Sequence, residues 1–320
     1  MILVTGASGF VGMPLCRRLS ALYEVRGLVR VSGTHLLAAE TNPKLQWVEI
    51  GDLNNVTDWG VLLRGVTTVI HLAARTHVLH EKEPDPLEAY RRINVAVTER
   101  LAKACVTAGV KRLVFLSSVK VNGESTLDRP FCESDIPQPQ DAYGKSKLEA
   151  ETVLKEIGNG SDLKTVIVRP PLVYGPGVKG NFLRLLDIAR RGWPLPLASV
   201  QNLRSFIYVE NLVTAIIACA THAHAPGKTY LVSDHSDLST PELLRQLALH
   251  FGLPARIWPC PPRLLQGVAH LLGRGAEASR LLGSLQVDCS LIRSELGWTP
   301  PFSIAEGLVQ TTHWHQKKYQ

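Results

Sequence analysis

This 320-residue chain predicts an α/β fold, a Rossmann-type doubly wound parallel sheet with a smaller α/β substrate-binding lobe. Three observations point there. The first apolar run ends in a glycine-rich turn that opens a helix. Short apolar runs then alternate with helical stretches through the first half of the chain. Beyond Tyr174, prolines and glycines become frequent and the helical segments shorten.

Ile2-Leu3-Val4 reads as a strand, and it runs through Thr5-Gly6-Ala7-Ser8-Gly9-Phe10-Val11-Gly12 into a helix over 13–22. Small residues let the backbone approach an anion while the helix N-terminus points N–H donors at it. Gly6 permits the turn, Gly9 a close approach and Gly12 tight helix-on-strand packing; with Ser8, Phe10 and Val11 they form a candidate dinucleotide cradle. A second strand, 24–29, ends at Arg30, near the place where an acid reads the ribose hydroxyls of NAD and an arginine reads the 2′-phosphate of NADP. Arg30, with Ser32, Gly33 and Thr34 behind it, favours NADP over NAD. Stacking on adenine or simple exposure explains that arginine equally well.

A third strand over 45–50 ends at Gly51-Asp52-Leu53, where the carboxylate either accepts from the adenine amino group or caps the turn. The apolar run 66–72 reads as a strand buried on both faces, and Leu72, Ala73 and Ala74 leave room for a diphosphate and ribose. One helix is expected over 88–108, with Asn94 on it tying down a neighbouring backbone group. The strand 112–116 ends at Ser117-Ser118. Tyr143 and Lys147 follow at the start of a helix reaching about 157, and their four-residue spacing puts them on one face. A free phenol, with a pKa of about 10, is a poor base at neutral pH. A neighbouring ammonium and an oxidised nicotinamide both favour the phenolate, with Ser118 holding the substrate oxygen against Tyr143.

With these motifs in place, the sequence resembles the extended short-chain dehydrogenase/reductases, specifically the NAD-dependent epimerase/dehydratase family that modifies nucleotide sugars. Residues 5–12 match its TGxxGxxG turn, Asp52 its adenine contact, His71-Leu72-Ala73-Ala74 its fourth-strand signature and Tyr143 with Lys147 its YxxxK pair. Residues 169–176 look like its sixth strand and the entry to the substrate lobe, and 296–300 like its C-terminal motif. The resemblance implies that Ser118, Tyr143 and Lys147 form the catalytic set and that Lys147 also holds the nicotinamide ribose. It places Leu53, Asn94 and Pro170 along the cofactor. It places Ser118, Lys120, Asn181 and Arg204 along the sugar nucleotide, where Arg204 suits a diphosphate because its planar fork donates paired charge-assisted bonds. It also implies a homodimer through the helices over 88–108 and 143–157. The expected division is a cofactor domain over 1–173 and a nucleotide-sugar lobe over 174–320, part of 203–235 being free to return to the first domain. The segment 264–285 is the least family-like, readable as a lobe helix or as an amphipathic contact with a membrane-bound partner.

Three chemistries share such a scaffold. In the family, dehydratases carry an acidic pair just after the catalytic hydroxyl, whereas Val119-Lys120 follow Ser118 here, so dehydration is not expected. Arg30 favours a 4-keto reductase that consumes NADPH, acting on a UDP-linked 4-keto-6-deoxy-N-acetylhexosamine like the bacterial O-antigen and lipopolysaccharide enzymes the chain resembles. The alternative is a UDP-hexose or UDP-N-acetylhexosamine 4-epimerase, and a non-enzymatic NADP-binding sensor or assembly protein is the reading from another class.

Composition sets outer bounds. The formal charge of +7 is scattered rather than interleaved with aromatics, which suits phosphate-bearing ligands and gives no reason to expect nucleic acid. The cysteines at 16, 105, 132, 219, 260 and 289 form no close pairs, which argues against a disulfide framework or a metal site. No basic leader or long apolar span precedes the first strand, so a cytoplasmic enzyme without a membrane span is expected.

Overall fold

The computed structural model describes residues 1–30, 42–76 and 83–318. Seven parallel strands form the central sheet: β1 Ile2–Thr5, β2 Val25–Val29, β3 Leu45–Glu49, β4 Thr68–His71, β5 Arg112–Leu116, β6 Lys164–Arg169 and β9 Thr229–Leu231, in the order β3-β2-β1-β4-β5-β6-β9. A second sheet pairs β7 Leu172–Tyr174 with β8 Phe206–Tyr208. The helices are α1 Gly12–Ser20, α2 Trp59–Leu63, α3 Pro86–Asn94, α4 Ala96–Thr107, α5 Ala142–Asn159 and α6 Gly180–Arg191. They continue with α7 Val209–Thr221, α8 Thr240–His250, α9 Pro262–Leu271, α10 Gly275–Leu282, α11 Ser290–Leu296 and α12 Ile304–Lys317.

Period-two alternation splits the sheet residues between two cores. Ile2, Val4, Ile70, Val114 and Val166 pack with Leu15 and Leu19 of α1 and Leu212 and Ile216 of α7. Leu3, Val69, Leu113 and Phe115 point the other way, onto Leu101 and Cys105 of α4 and Leu154 of α5. Each fully buried aliphatic side chain contributes about 1.5–3 kcal/mol, so this double cover holds the sheet rigid beneath the site. A third core joins Tyr174, Phe182, Phe206, Tyr208, Leu247 and Leu308, linking β7 and β8 to α6, α8 and α12.

The strand order reverses between β1 and β4, which opens a crevice beyond their carboxyl ends where ligands bind in such sheets. Within 203–235, α7 packs beneath the first sheet and β9 is its edge strand beside β6. Two helix expectations need correction. The helix expected over 88–108 is two helices, α3 and α4, meeting at Val95, whose φ of −100° and ψ of −60° depart from ideal helix values. The 264–285 segment is two short helices, α9 and α10, turned at Gly273, whose φ of +70° favours glycine. Among the described residues, no helix is long and apolar enough to cross a membrane.

Candidate active site

The glycine turn sits directly over β4. Gly6 has φ +67°, and a Cβ there would lie 2.9 Å from the Ala73 nitrogen. A Cβ on Gly12 would come within 2.2 Å of the Gly6 carbonyl oxygen. Neither position has space for a side chain. Val11, at the N-cap of α1, gives the first turn no side-chain acceptor, and Ser8 and Gly9 are exposed above it. This concave backbone at a helix N-terminus fits a dinucleotide diphosphate. Phe10 packs against the third core, so the turn also touches the substrate lobe.

A buried chain of hydrogen bonds carries this turn to α5. The Thr98 hydroxyl is committed to the Asn94 carbonyl, so His71 Nε2 donates to Thr98 Oγ1 at 2.9 Å. His71 Nδ1 then accepts from Thr5 Oγ1 at 2.6 Å, and the Thr5 oxygen accepts from the Ala73 N–H at 3.3 Å. Asn94 accepts from the Arg75 N–H at 2.8 Å and donates to the Arg75 carbonyl at 3.1 Å, which is the backbone-tying role expected of it. It also donates to Ser146 Oγ at 3.0 Å, and Ser146 donates to the Tyr143 carbonyl at 2.8 Å. His71, Thr98 and Ser146 were not singled out from sequence as site residues; the His71-Leu72-Ala73-Ala74 motif was the available signal.

Burial, and secondarily the charge of Lys147, pushes the His71 imidazole down to about 3. Its folded pKa lies below the unfolded value of about 6.5, so its contribution to stability is complete above pH 6.5 and is lost as pH falls toward 3. Between pH 6.5 and 4.5 this amounts to about 2–3 kcal/mol. His71→Asn is expected to flatten that acid dependence when urea midpoints are compared at pH 7.5 and 4.5.

Ser118, Tyr143 and Lys147 come together beyond the end of β5. Asp141 caps α5 by accepting from the Gly144 N–H at 2.7 Å, which sets the helix start so that Tyr143 lies in its first turn. Tyr143 is hydrogen-bonded to Ser118, whose Oγ also accepts from the Lys120 N–H at 3.2 Å. Lys147 is buried, its Nζ donating to the Leu116 carbonyl at 2.7 Å and lying 4.3 Å from the Phe115 ring centroid. Burial lowers its ammonium to about 7, with Glu151 pulling the other way. Burial and Asp141 raise the Tyr143 phenol above its ordinary value, and the Ser118 hydrogen bond acts against them. The phenol is therefore not lowered as the spacing with Lys147 led us to expect. Burial outweighs its charged surroundings, and phenolate formation calls for a further positive charge such as an oxidised nicotinamide ring.

The other expected site residues divide into braced and exposed groups. The buried Pro170 accepts from the Val119 N–H at 3.0 Å, bracing the turn that carries Ser118. Leu72, Ala73 and Ala74 are half-buried beneath the glycine turn, as is Leu53 at the rim. Asp52 is exposed and accepts from the Asn54 N–H at 2.8 Å, the turn-capping role. Arg30 is exposed at the end of β2, while Ser32, Gly33 and Thr34 lie outside the described residues. Asn181 is exposed in the first turn of α6.

Arg204 is half-buried and tied to the main chain. Its Nη1 donates to the Arg280 and Gly283 carbonyls at 2.7 and 2.9 Å, and its backbone bridges to Leu238 and Leu285. Lys120 is held by Asp141 and by Glu124, the latter at 2.9 Å. Arg280, which sequence reasoning missed, reaches the same carboxylates, with its Nε 3.4 Å from Glu124. Glu151 and Arg169 were missed as well. They form a buried bidentate pair at 2.5 and 2.9 Å behind Lys147, and Ser117 donates to the same carboxylate. Only the fold brings these side chains into contact.

A crevice for a dinucleotide beside a Ser-Tyr-Lys cluster is the arrangement whose motifs the family resemblance anticipated. A model of the NAD-dependent epimerase/dehydratase family matches residues 2–233. The chain belongs to that family. Its members are short-chain dehydrogenase/reductase enzymes, and this chain is one of them. It is 43% identical over 314 residues to a UDP-glucose 4-epimerase of Vibrio cholerae, covering 97% of this chain and 94% of the relative. It is 28% identical over 335 residues to an N-acetyl-α-D-glucosaminyl-diphospho-ditrans,octacis-undecaprenol 4-epimerase of Escherichia coli O157:H7, covering 99% and 96% of the two chains. Among solved structures, MoeE5 in complex with UDP-glucose and NAD superposes with a TM-score of 0.78 at 28% identity, covering 100% of this chain and 99% of that one.

Proposed function

We propose that this family member is a UDP-hexose or UDP-N-acetylhexosamine 4-epimerase that keeps its NAD through the reaction cycle. The observation that carries the reading is the pairing of Tyr143 with Ser118 over a buried Lys147, beside a turn shaped for a dinucleotide. The 43% identity to a UDP-glucose 4-epimerase across nearly the whole chain supports the choice among chemistries. When bound, NAD would supply the hydride acceptor and donor for the sugar C4.

In this reading, Tyr143 takes the proton of the sugar O4 hydroxyl as C4 is oxidised and gives it back on reduction. Ser118 holds the same oxygen. Lys147 holds the nicotinamide ribose with the glycine turn, Asp52, Leu53, Asn94 and Pro170 along the rest of the cofactor. Lys120, Asn181 and Arg204 line the sugar-nucleotide side, and Arg280 joins them through the carboxylates it shares with Lys120. The lobe boundary in this reading is 173/174, with 209–221 and 229–231 going with the first domain because they pack on its sheet, and the resemblance supports a homodimer through α3 to α5. The six free thiols support a reducing compartment such as the cytoplasm.

One observation favours a second reading: Arg30 at the end of β2 suits NADPH and hence a UDP-4-keto-sugar reductase. The purified protein decides between them. Retained NAD and interconversion of UDP-glucose with UDP-galactose, or of their N-acetyl forms, support the epimerase. Net NADPH oxidation with a UDP-4-keto-6-deoxy-N-acetylhexosamine, without interconversion, overturns it. Affinities of wild type and Arg30→Ala for NAD and NADP test the arginine separately, equal loss for both excluding phosphate reading.

A further inference from the structure

We propose that the α9–α10 hairpin is a docking surface for an anionic lipid bilayer. Leu264, Val268, Leu271 and Leu272 fall at helical spacings i, i+4, i+7 and i+8, on one face of α9. That face is turned to solvent: the four side chains are 59%, 48%, 87% and 70% exposed, and α9 has no buried residue at all. Isolated exposed apolar residues are ordinary, whereas a contiguous helical stripe of them marks an interaction site.

Charge selects the occupant. Across residues 254–287 the chain carries four arginines, at 256, 263, 274 and 280, and a single acid, Glu277. Arg263 opens the polar side of α9 and Arg274 follows its end, both exposed. A short helix with an apolar stripe and a basic flank lies in the plane of a membrane surface, apolar side chains among the acyl boundary and arginines at the headgroups. A second copy of the chain would bring the same arginines against each other, which disfavours a twofold contact through this face. The hairpin is anchored to the site wall, since Arg204 donates to the Arg280 and Gly283 carbonyls at its end. Docking would therefore hold the wall of the sugar-side cleft close to the bilayer.

Co-sedimentation of the full chain with vesicles of 70% phosphatidylcholine and 30% phosphatidylglycerol tests the proposal, with pure phosphatidylcholine vesicles as control. Wild type is expected to partition to the anionic vesicles and to be released at 0.5 M salt. Leu271→Glu/Leu272→Glu, at exposed positions, is expected to weaken partition at least tenfold. Arg263→Ser/Arg274→Ser should do the same, since each basic residue near such a surface contributes about fivefold. Both variants should keep the wild-type melting temperature and turnover of soluble substrate. Equal binding by wild type and variants overturns the proposal. So does wild type staying in the supernatant, or a stripe that instead drives salt-insensitive self-association in sedimentation equilibrium. Either failure leaves the epimerase assay unaffected, so the two readings stand or fall separately.

Discussion

Tyr143→Phe is expected to lower kcat by about a thousandfold or more while cofactor content and melting temperature stay at wild-type values. Proton transfer by a positioned group contributes about 10²–10⁴-fold, and each factor of ten is about 1.4 kcal/mol of barrier. The substitution removes one oxygen from a half-buried ring that packs edge-on against Tyr90 at 6.0 Å, so the packing survives. The backbone of α5 also survives, because its cap and its tie to Asn94 run through Asp141 and Ser146. Steady-state interconversion of UDP-sugars with absorbance of the bound cofactor gives both readings from one preparation. A rate within tenfold of wild type would remove Tyr143 from the proton path and sink the mechanism.

The largest stability effect is expected at Arg169. Its guanidinium forms a two-pronged pair with Glu151, and its Nη1 donates to Asn122 at 3.0 Å, with both charged side chains buried. Arg169→Met leaves the Glu151 carboxylate inside the protein without its counter-charge, and breaking such a pair costs about 3–5 kcal/mol. Replacing both partners, as in Arg169→Met/Glu151→Leu, is expected to recover much of the loss, because no uncompensated charge then remains. Urea unfolding of the two variants and wild type measures this. A single variant less than 1 kcal/mol below wild type would mean that water reaches the pair.

Local chemistry made several site features readable in advance. The Gly6 and Gly12 spacing reports where backbone must approach backbone, and the structure has no room there for a Cβ. The four-residue step from Tyr143 to Lys147 is a property of any helix, and Ser118 stands at a strand end because the apolar run of β5 stops there. Other features were out of reach. Nothing in the pattern over 88–108 reveals the break at Val95, or that Thr98 and Asn94 beside it bond His71 and Arg75 on other elements. The partners of Arg204 lie 76 and 79 residues away in sequence, so its burial depends on where α10 is carried.

By itself, the sequence determined the strand-turn-helix cradle, the parallel αβ alternation and the shared helix face of Tyr143 and Lys147. Each of these is written in the spacing and periodicity of single elements, where sterics act locally. Only the tertiary structure decided that a neutral His71 links the cradle to α5, that Glu151 and Arg169 sit as a buried pair behind Lys147, and that the stripe of α9 faces outward. Those outcomes depend on which distant elements exclude water from a side chain, and desolvation is a property of the packed chain rather than of any segment of it.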